Sequence, residues 1–196
     1  LIEEKDASVA EKQINEIYSG ICCAPAKSLK QWLPKLSNNN AQGEYYLTEI
    51  IRLAVEENCP VEAVVTDKIS SILGVNNRLQ LQQLERLWQQ SNAETLMLNG
   101  LSLADADRFD VRGSLEHGKD VMIDVNVVIE GQVMIEDGAR IGPNCVLKDC
   151  HIGKDSHIKA NSVIEGAIIG QSNEVGPFAR VRPGTVLNSY CKIGNF

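Results

Sequence analysis

Asn76 stands in the run Gly74-Val75-Asn76-Asn77-Arg78, between an expected strand and an expected helix. Two chemistries suit it. An asparagine at a helix start accepts a backbone N–H as an N-cap. The same carboxamide oxygen, beside a carboxylate and phosphates, can complete a site for a hard divalent cation. A second polar run, Asn38 to Glu49, carries Glu44 and Tyr46. It reads either as a plain polar loop before a helix or as a loop that offers those two side chains to a hydroxyl-rich ligand. Arg182 directly precedes Pro183-Gly184, a turn signal. A planar guanidinium can hold two phosphate oxygens at once. The plain alternative is a solvated surface charge. Zinc chemistry is not expected. The only histidines are His117, His151 and His157, without H-x-x-x-H spacing, and Cys22, Cys23, Cys59, Cys145, Cys150 and Cys191 form no C-x-x-C pair.

These groups need elements to hold them, and the last third of the chain declares its own. Aliphatic residues recur every six positions: Ile123, Ile129, Ile135, Ile141 and Leu147, then Ile152, Ile158 and Ile164, then Ile169, Val175, Val181, Leu187 and Ile193. The phase slips by one residue after Leu147 and after Ile164. A short fixed period marks stacked coils, and a period of six points to a parallel β-helix. Each hexad would form one flat side of a triangular prism, with the aliphatic residue on the axis. A small residue such as Ala139, Cys145, Ser156, Ser162, Ala179 or Thr185 lets the chain close in at the corner. Three sides per coil give about four coils. A β-sandwich would alternate without this fixed period. Arg182 then points outward, because Val181 and Gly184 keep the hexad in register.

Upstream, the pattern is mixed. Ile17 to Cys23 and Val61 to Thr66 read as strands, and Ser28 to Leu36 and Glu44 to Glu57 as helices. Leu81, Leu84, Leu87 and Trp88 lie at helical spacing within a polar stretch, so Asn76 to about Leu98 reads as a half-exposed linking helix. The turns around Phe109 to Gly113 are expected to be irregular before the hexads settle. Net charge is −7 with no strong basic cluster, so nucleic acid is not an expected partner. No apolar stretch has membrane-spanning length, so no membrane association is expected. Cysteines at apolar positions fit a reduced, cytoplasmic setting.

Five segments occur in this order: Glu3 to Ala7, Asn39 to Tyr46, Gly74 to Leu81, Arg108 to Gly113, and Gly176 to Gly184. Together they resemble the bacterial bifunctional N-acetylglucosamine-1-phosphate uridylyltransferase/glucosamine-1-phosphate acetyltransferases, over the whole chain. The resemblance implies an α/β plus β protein. Residues 1–75 would be the C-terminal part of a Rossmann-like nucleotidyltransferase (pyrophosphorylase) domain, 76–100 a helical linker arm, and 101–196 the first part of a left-handed parallel β-helix of hexapeptide repeats. The left hand comes from the family; the crossover rule alone predicts the opposite.

The resemblance also assigns roles. Glu3 would bind the sugar of UDP-N-acetylglucosamine, Asn76 would bind Mg²⁺ and the nucleotide sugar, and Arg182 the phosphate of glucosamine-1-phosphate. Tyr18 stands where the family usually has an asparagine that contacts the sugar, and its hydroxyl can take that contact. Glu44 and Tyr46 are further ligand candidates. UTP, acetyl-CoA as co-substrate and a homotrimer are implied as well. No catalytic residue is assigned within the chain. The Gly-rich nucleotide loop is expected before Leu1, and the acetyltransferase's lysine, histidine and acetyl-CoA pocket after Phe196, so the 196 residues alone are expected to be inactive. Two alternatives are a single-function sugar nucleotidyltransferase with a regulatory β-helix, and a non-catalytic trimerisation scaffold.

Overall fold

A computed structural model describes residues 1–67 and 69–195. They fall into two compact units that meet in sequence at Gly74 and Val75.

In the first unit, helix α1 (Ala26–Trp32) runs into a 3-10 turn at Leu33–Lys35, where Pro34 removes a backbone donor. Helix α2 spans Glu49–Glu56. It starts five residues later than Glu44, because Asn40 holds residues 40–44 as a tight loop. Asn40 Oδ1 accepts from the N–H groups of Gln42 (3.1 Å) and Glu44 (3.2 Å), and its Nδ2 donates to the Glu44 carbonyl (2.5 Å). A side chain that bonds its own neighbourhood competes with helix formation. The helices pack through Trp32, Ile50, Leu53 and Ala54. Trp32 Nε1 donates to Glu57 Oε2 at 2.9 Å, and Lys35 Nζ meets the other oxygen at 2.7 Å. Those two bonds hold the Glu57 carboxyl below its ordinary range, Lys35 contributing most.

The strands expected at Ile17–Cys23 and Val61–Thr66 do not form. A strand needs a neighbouring strand for its backbone groups, and neither segment enters a sheet among the described residues. Their apolar residues are accordingly exposed, Ile17 and Ile21 at 74% and Val64 at 95%.

The second unit opens with helix α3 (Arg78–Leu98). Fourteen strands follow among the described residues. They are β1 (Ser102–Leu103), β2 (Phe109–His117), β3 (Met122–Ile123), β4 (Val127–Ile135), β5 (Arg140–Ile141), β6 (Val146–Lys148), β7 (His151–Ile152), β8 (His157–Ile158), β9 (Val163–Glu165), β10 (Ile168–Ile169), β11 (Glu174–Val175), β12 (Arg180–Val181), β13 (Val186–Leu187) and β14 (Lys192–Ile193). All pair in parallel with the strand one coil away, and β1-β3-β5-β8-β11-β14 form one side of the prism. This is the left-handed hexapeptide β-helix. It has about five turns, not four, because the coils begin at Ser102, ahead of the first hexad counted from Ile123. The segment from Phe109 is also not irregular. It is a nine-residue strand in register with β4, Phe109 to Val127 through His117 to Ile135.

The hexad residues from Ile123 to Val181 are buried, and Leu187 and Ile193 in the last turn pack half-buried against them. Each fully buried aliphatic side chain stabilises the stack by roughly 1.5–3 kcal/mol. The small residues two positions earlier also point inward: Ala139, Cys145, Cys150, Ser156, Ser162, Ala167 and Ala179 are all buried. The hydroxyl of Ser156 donates to the Gly170 carbonyl at 2.8 Å and accepts from Asn173 N at 3.0 Å, so a polar atom is tolerated there.

The phase slips now have a place. Val128 pairs with Val146 eighteen residues on, whereas Val146 pairs with Val163 and Val163 with Arg180 seventeen on. The lost residue falls at one corner, between β6 and β7 and again between β9 and β10, so registry survives on all three sides. Each corner holds a column of left-handed residues. One is Asn126, Asn144, Asn161 and Phe178; another is Asp120, Gly138, Asp155, Ser172 and Tyr190; the third contains Gly131, Asp149, Gly166 and Gly184, all with φ between 46° and 82°. Asn, Asp and Gly dominate because they carry this conformation at least cost. The first column is also bonded along its length: Arg108 Nε to Asn126 Oδ1 (3.0 Å), Asn126 Nδ2 to Asn144 Oδ1 (2.8 Å), Asn144 Nδ2 to Asn161 Oδ1 (3.2 Å).

Helix α3 covers the first coil. Ala93 is fully buried in the β-helix core cluster, and Gln89, 2% exposed, bonds the backbone of Val111. Arg86 forms an ion pair with Asp110, and Gln90 Nε2 donates to Asp107 Oδ1 at 2.8 Å.

Candidate functional site

In the first unit, the two polar segments singled out in the sequence lie side by side. Residues Glu3 to Asp6 form a turn, with Asp6 N–H donating to the Glu3 carbonyl at 3.0 Å. Asp6 Oδ1 accepts from Ala41 N–H at 2.8 Å, and Lys5 Nζ donates to Gln42 Oε1 at 2.6 Å. Gln42 Nε2 in turn donates to the Tyr46 hydroxyl at 2.9 Å. Half-buried Glu3 therefore sits on a turn tied to the loop that carries Tyr46, while the Glu44 side chain is exposed. Lys5, Asp6 and Gln42 are not marked individually by the sequence, although they lie inside the quoted segments. Their role as connectors depends on a contact across more than thirty residues, which no local pattern announces.

Tyr18 belongs to neither segment by any bond described. Its hydroxyl engages Cys22, and that hydrogen bond raises the phenol above its ordinary pKa.

Asn76 is exposed, and it is not the helix cap. Asn77 is: with φ −151° and ψ 169°, its Oδ1 accepts Gln80 N–H at 2.9 Å. Asn76 uses only its backbone there, donating its N–H to Gln80 Oε1 at 2.8 Å. Its carboxamide has no hydrogen bond to a described residue. The capping signal is legible as Asn77-x-x-Gln80, one position later than Asn76.

An unengaged carboxamide oxygen is a hard donor and fits one ligand position of a Mg²⁺ ion. Among the described residues no group of three or more His, Cys, Asp or Glu side chains comes together as a metal site. Asn76 would thus be one donor among several, the others being phosphates and carboxylate outside that set.

Arg182 lies on the β-helix corner that follows β12, where Pro183 and Gly184 turn the chain. Its carbonyl accepts Thr185 N–H at 3.2 Å, closing the turn. Pro183 stacks on Gly166 of the coil before, where an added Cβ would stand only 2.9 Å from the proline ring. Two neighbouring cations already share one carboxylate: Lys148 Nζ lies 3.7 Å from Glu165 and Arg180 3.9 Å from the same group. Arg182 is exposed and has no ion pair among the described residues. A guanidinium left over beside a rigid turn is a ready donor for phosphate.

The sequence profile of the GMPPB C-terminal domain matches residues 111–195, the β-helix. Over all 196 residues the chain is 55% identical to the Bifunctional protein GlmU of Legionella pneumophila (strain Lens), 53% to that of Marinobacter nauticus and 50% to that of Pseudomonas entomophila. Along its whole length the chain is similar to part of these GlmU proteins. It spans 42–43% of the length of these GlmU relatives, and the match runs through both units, so both segments of polar residues and the coil corner fall inside it.

Proposed function

We propose that this chain contributes to both sites of an enzyme that makes UDP-N-acetylglucosamine, as part of a longer protein. Residues 1–75 serve as the C-terminal part of the uridylyltransferase domain, 76–100 as the arm, and 101–196 as the start of the acetyltransferase β-helix. The observation that carries this is the match to GlmU proteins at 50–55% identity along every part of the chain.

Two reactions follow. The amine of glucosamine-1-phosphate is acetylated by acetyl-CoA, releasing CoA. The phosphate of the product then attacks the α-phosphorus of UTP, and pyrophosphate leaves. In the first reaction Arg182 holds the sugar phosphate by two N–H···O contacts and fixes the acceptor. In the second, Glu3 accepts from sugar hydroxyls, with Glu44, Tyr46 and Tyr18 as further contacts to the nucleotide sugar, and Asn76 supplies a carboxamide oxygen to the cation. Mg²⁺, when bound, neutralises the charge that develops on the phosphates. The chain supplies binding and orientation; no residue of it is assigned a proton-transfer role.

The protein acts in the cytoplasm as a homotrimer, without nucleic-acid or membrane partners. No helix among the described residues is long and apolar enough to cross a membrane. Its product would feed cell-wall and lipopolysaccharide synthesis.

The test is a pair of coupled assays on the full-length protein that carries this chain. CoA release should depend on glucosamine-1-phosphate, and pyrophosphate release on UTP, Mg²⁺ and N-acetylglucosamine-1-phosphate. Pyrophosphate release without CoA release would favour a single-function nucleotidyltransferase, and neither would favour a scaffold.

A further inference from the structure

We propose that Gln80 is a positioning residue for the uridylyltransferase site: its side-chain oxygen pins the backbone of Asn76, leaving the Asn76 carboxamide free for the divalent cation. This rests on the reading of Asn76 as a cation ligand.

In the usual capping box, the cap side chain bonds the N–H of the third helical residue, whose own side chain reaches back to the cap residue's N–H. Here the first half is present, from Gln80 N–H to Asn77 Oδ1 at 2.9 Å. The second half is displaced by one residue. Gln80 Oε1 accepts not from Asn77 but from Asn76, at 2.8 Å. Asn77 already supplies the side-chain cap, so the displaced bond acts on the residue before the helix. A residue outside a helix keeps its backbone freedom unless something ties it. The Gln80 bond ties Asn76 to a 21-residue helix while using none of its side-chain atoms.

Groups that orient a metal ligand matter nearly as much as the ligand, and their loss typically costs about 10–100-fold in metal affinity or activity. Glutamine suits this role because its oxygen accepts, its length spans one helical turn, and it brings no charge beside the phosphates. Glutamate keeps the acceptor, whereas methionine keeps the length and lacks it.

The experiment uses the full-length protein with Gln80→Met, Gln80→Glu and Asn76→Ala variants. Mn²⁺ serves as the probe, its free concentration read by electron paramagnetic resonance in the presence of UDP-N-acetylglucosamine. Gln80→Met should weaken Mn²⁺ binding about tenfold or more and raise the Mg²⁺ needed for half-maximal pyrophosphate release, with CoA release as the control for folding. Gln80→Glu should restore both. In the unsubstituted protein, hydrogen exchange at the Asn76 amide should be slowed, a measurement that needs no variant. Unslowed exchange there would overturn the proposal. So would a Gln80→Met protein with a lower melting temperature but unchanged Mn²⁺ affinity, which would make Gln80 a helix cap only. If Asn76→Ala itself binds Mn²⁺ normally, the reading of Asn76 fails and this proposal with it. If Asn76→Ala is impaired and Gln80→Met is not, only the proposal fails.

Discussion

The carboxamide of Gln89 pairs with the backbone of Val111 as an adjacent strand would: its Nε2 donates to the Val111 carbonyl and its Oε1 accepts the Val111 N–H, both at 2.9 Å. Among the described residues strand β2 pairs only with β4, so its other edge is the open start of the β-helix. An open parallel edge invites pairing with another chain. One glutamine on α3 closes part of it.

Replacing Gln89 by leucine should therefore leave a buried donor and a buried acceptor unpaired, at about 1–3 kcal/mol each. Urea unfolding followed by circular dichroism should show a lower midpoint with little change in slope. Sedimentation should show more self-association at the same concentration. A variant as stable as the parent protein would mean that water replaces Gln89 at this edge.

The adjacent asparagines at the start of α3 should separate. Asn77→Ala removes the cap and should cost about 1 kcal/mol, seen as a lower melting temperature. Asn76→Ala removes no described hydrogen bond, so the melting temperature should hold while uridylyl transfer slows and needs more Mg²⁺. Acetyl transfer should stay near normal in both full-length variants. The opposite pattern, with Asn76→Ala the less stable of the two, would contradict the geometry.

Arg182→Ala, again in the full-length protein, should raise the KM for glucosamine-1-phosphate by an order of magnitude or more, since a charge-assisted hydrogen bond is worth about 1.5–3 kcal/mol. Uridylyl transfer and the sedimentation coefficient should not change, because the guanidinium is exposed and unpaired among the described residues. An unchanged acetyltransferase KM and kcat would leave Arg182 as a solvated charge.

Glu174 on β11 sits between two lysines, with Lys159 Nζ at 2.8 Å and Lys192 Nζ at 3.0 Å. Hydrogen bonds from Lys159, then Lys192, lower its carboxyl from the ordinary 4.5 to about 2. A carboxyl with a depressed folded pKa stabilises the fold above its unfolded pKa and stops doing so as pH falls toward its folded one. The difference in melting temperature between the parent protein and Glu174→Gln should be flat above pH 4.5, shrink below it and vanish near pH 2. The charges are solvated, so the difference should be small and should shrink with added salt. A difference independent of pH would remove the ion pairs as its cause.

Cys150 lies beside Ile152 on the prism axis side, and burial pushes its thiol up to about 12. Burial also raises Cys145. Only the thiolate reacts with disulfide reagents, so both should stay unlabelled in the native protein at mildly alkaline pH and react once it unfolds in denaturant. Rapid native labelling of either would place it outside the core.

Much of this protein is written locally. The six-residue period dictates the coil, because each prism side repeats the same small decision: an aliphatic residue inward, a small one two places earlier, an Asn, Asp or Gly at the corner. The inward aliphatic residue holds from Ile123 to Ile193, and even the slips after Leu147 and Ile164 can be read from spacing. The start of α3 is nearly as legible, off by one residue in its cap. The polar segments around Glu3, Asn40, Asn76 and Arg182 are visible as runs, and their resemblance to a family gives them roles. What needed the tertiary structure were relations between distant residues. Sequence alone places strands at Ile17–Cys23 and Val61–Thr66, but a strand exists only within a sheet, and neither segment enters one among the described residues. Sequence alone sees no regular pattern at Phe109–Gly113, where register with β4 imposes nine regular residues. The closing of the β2 edge by Gln89, the link from Lys5 through Gln42 to Tyr46, and the sharing of Glu165 by Lys148 and Arg180 beside an Arg182 without an ion pair among the described residues all depend on groups far apart in the chain, and hydrogen bonds between such groups have no period to betray them.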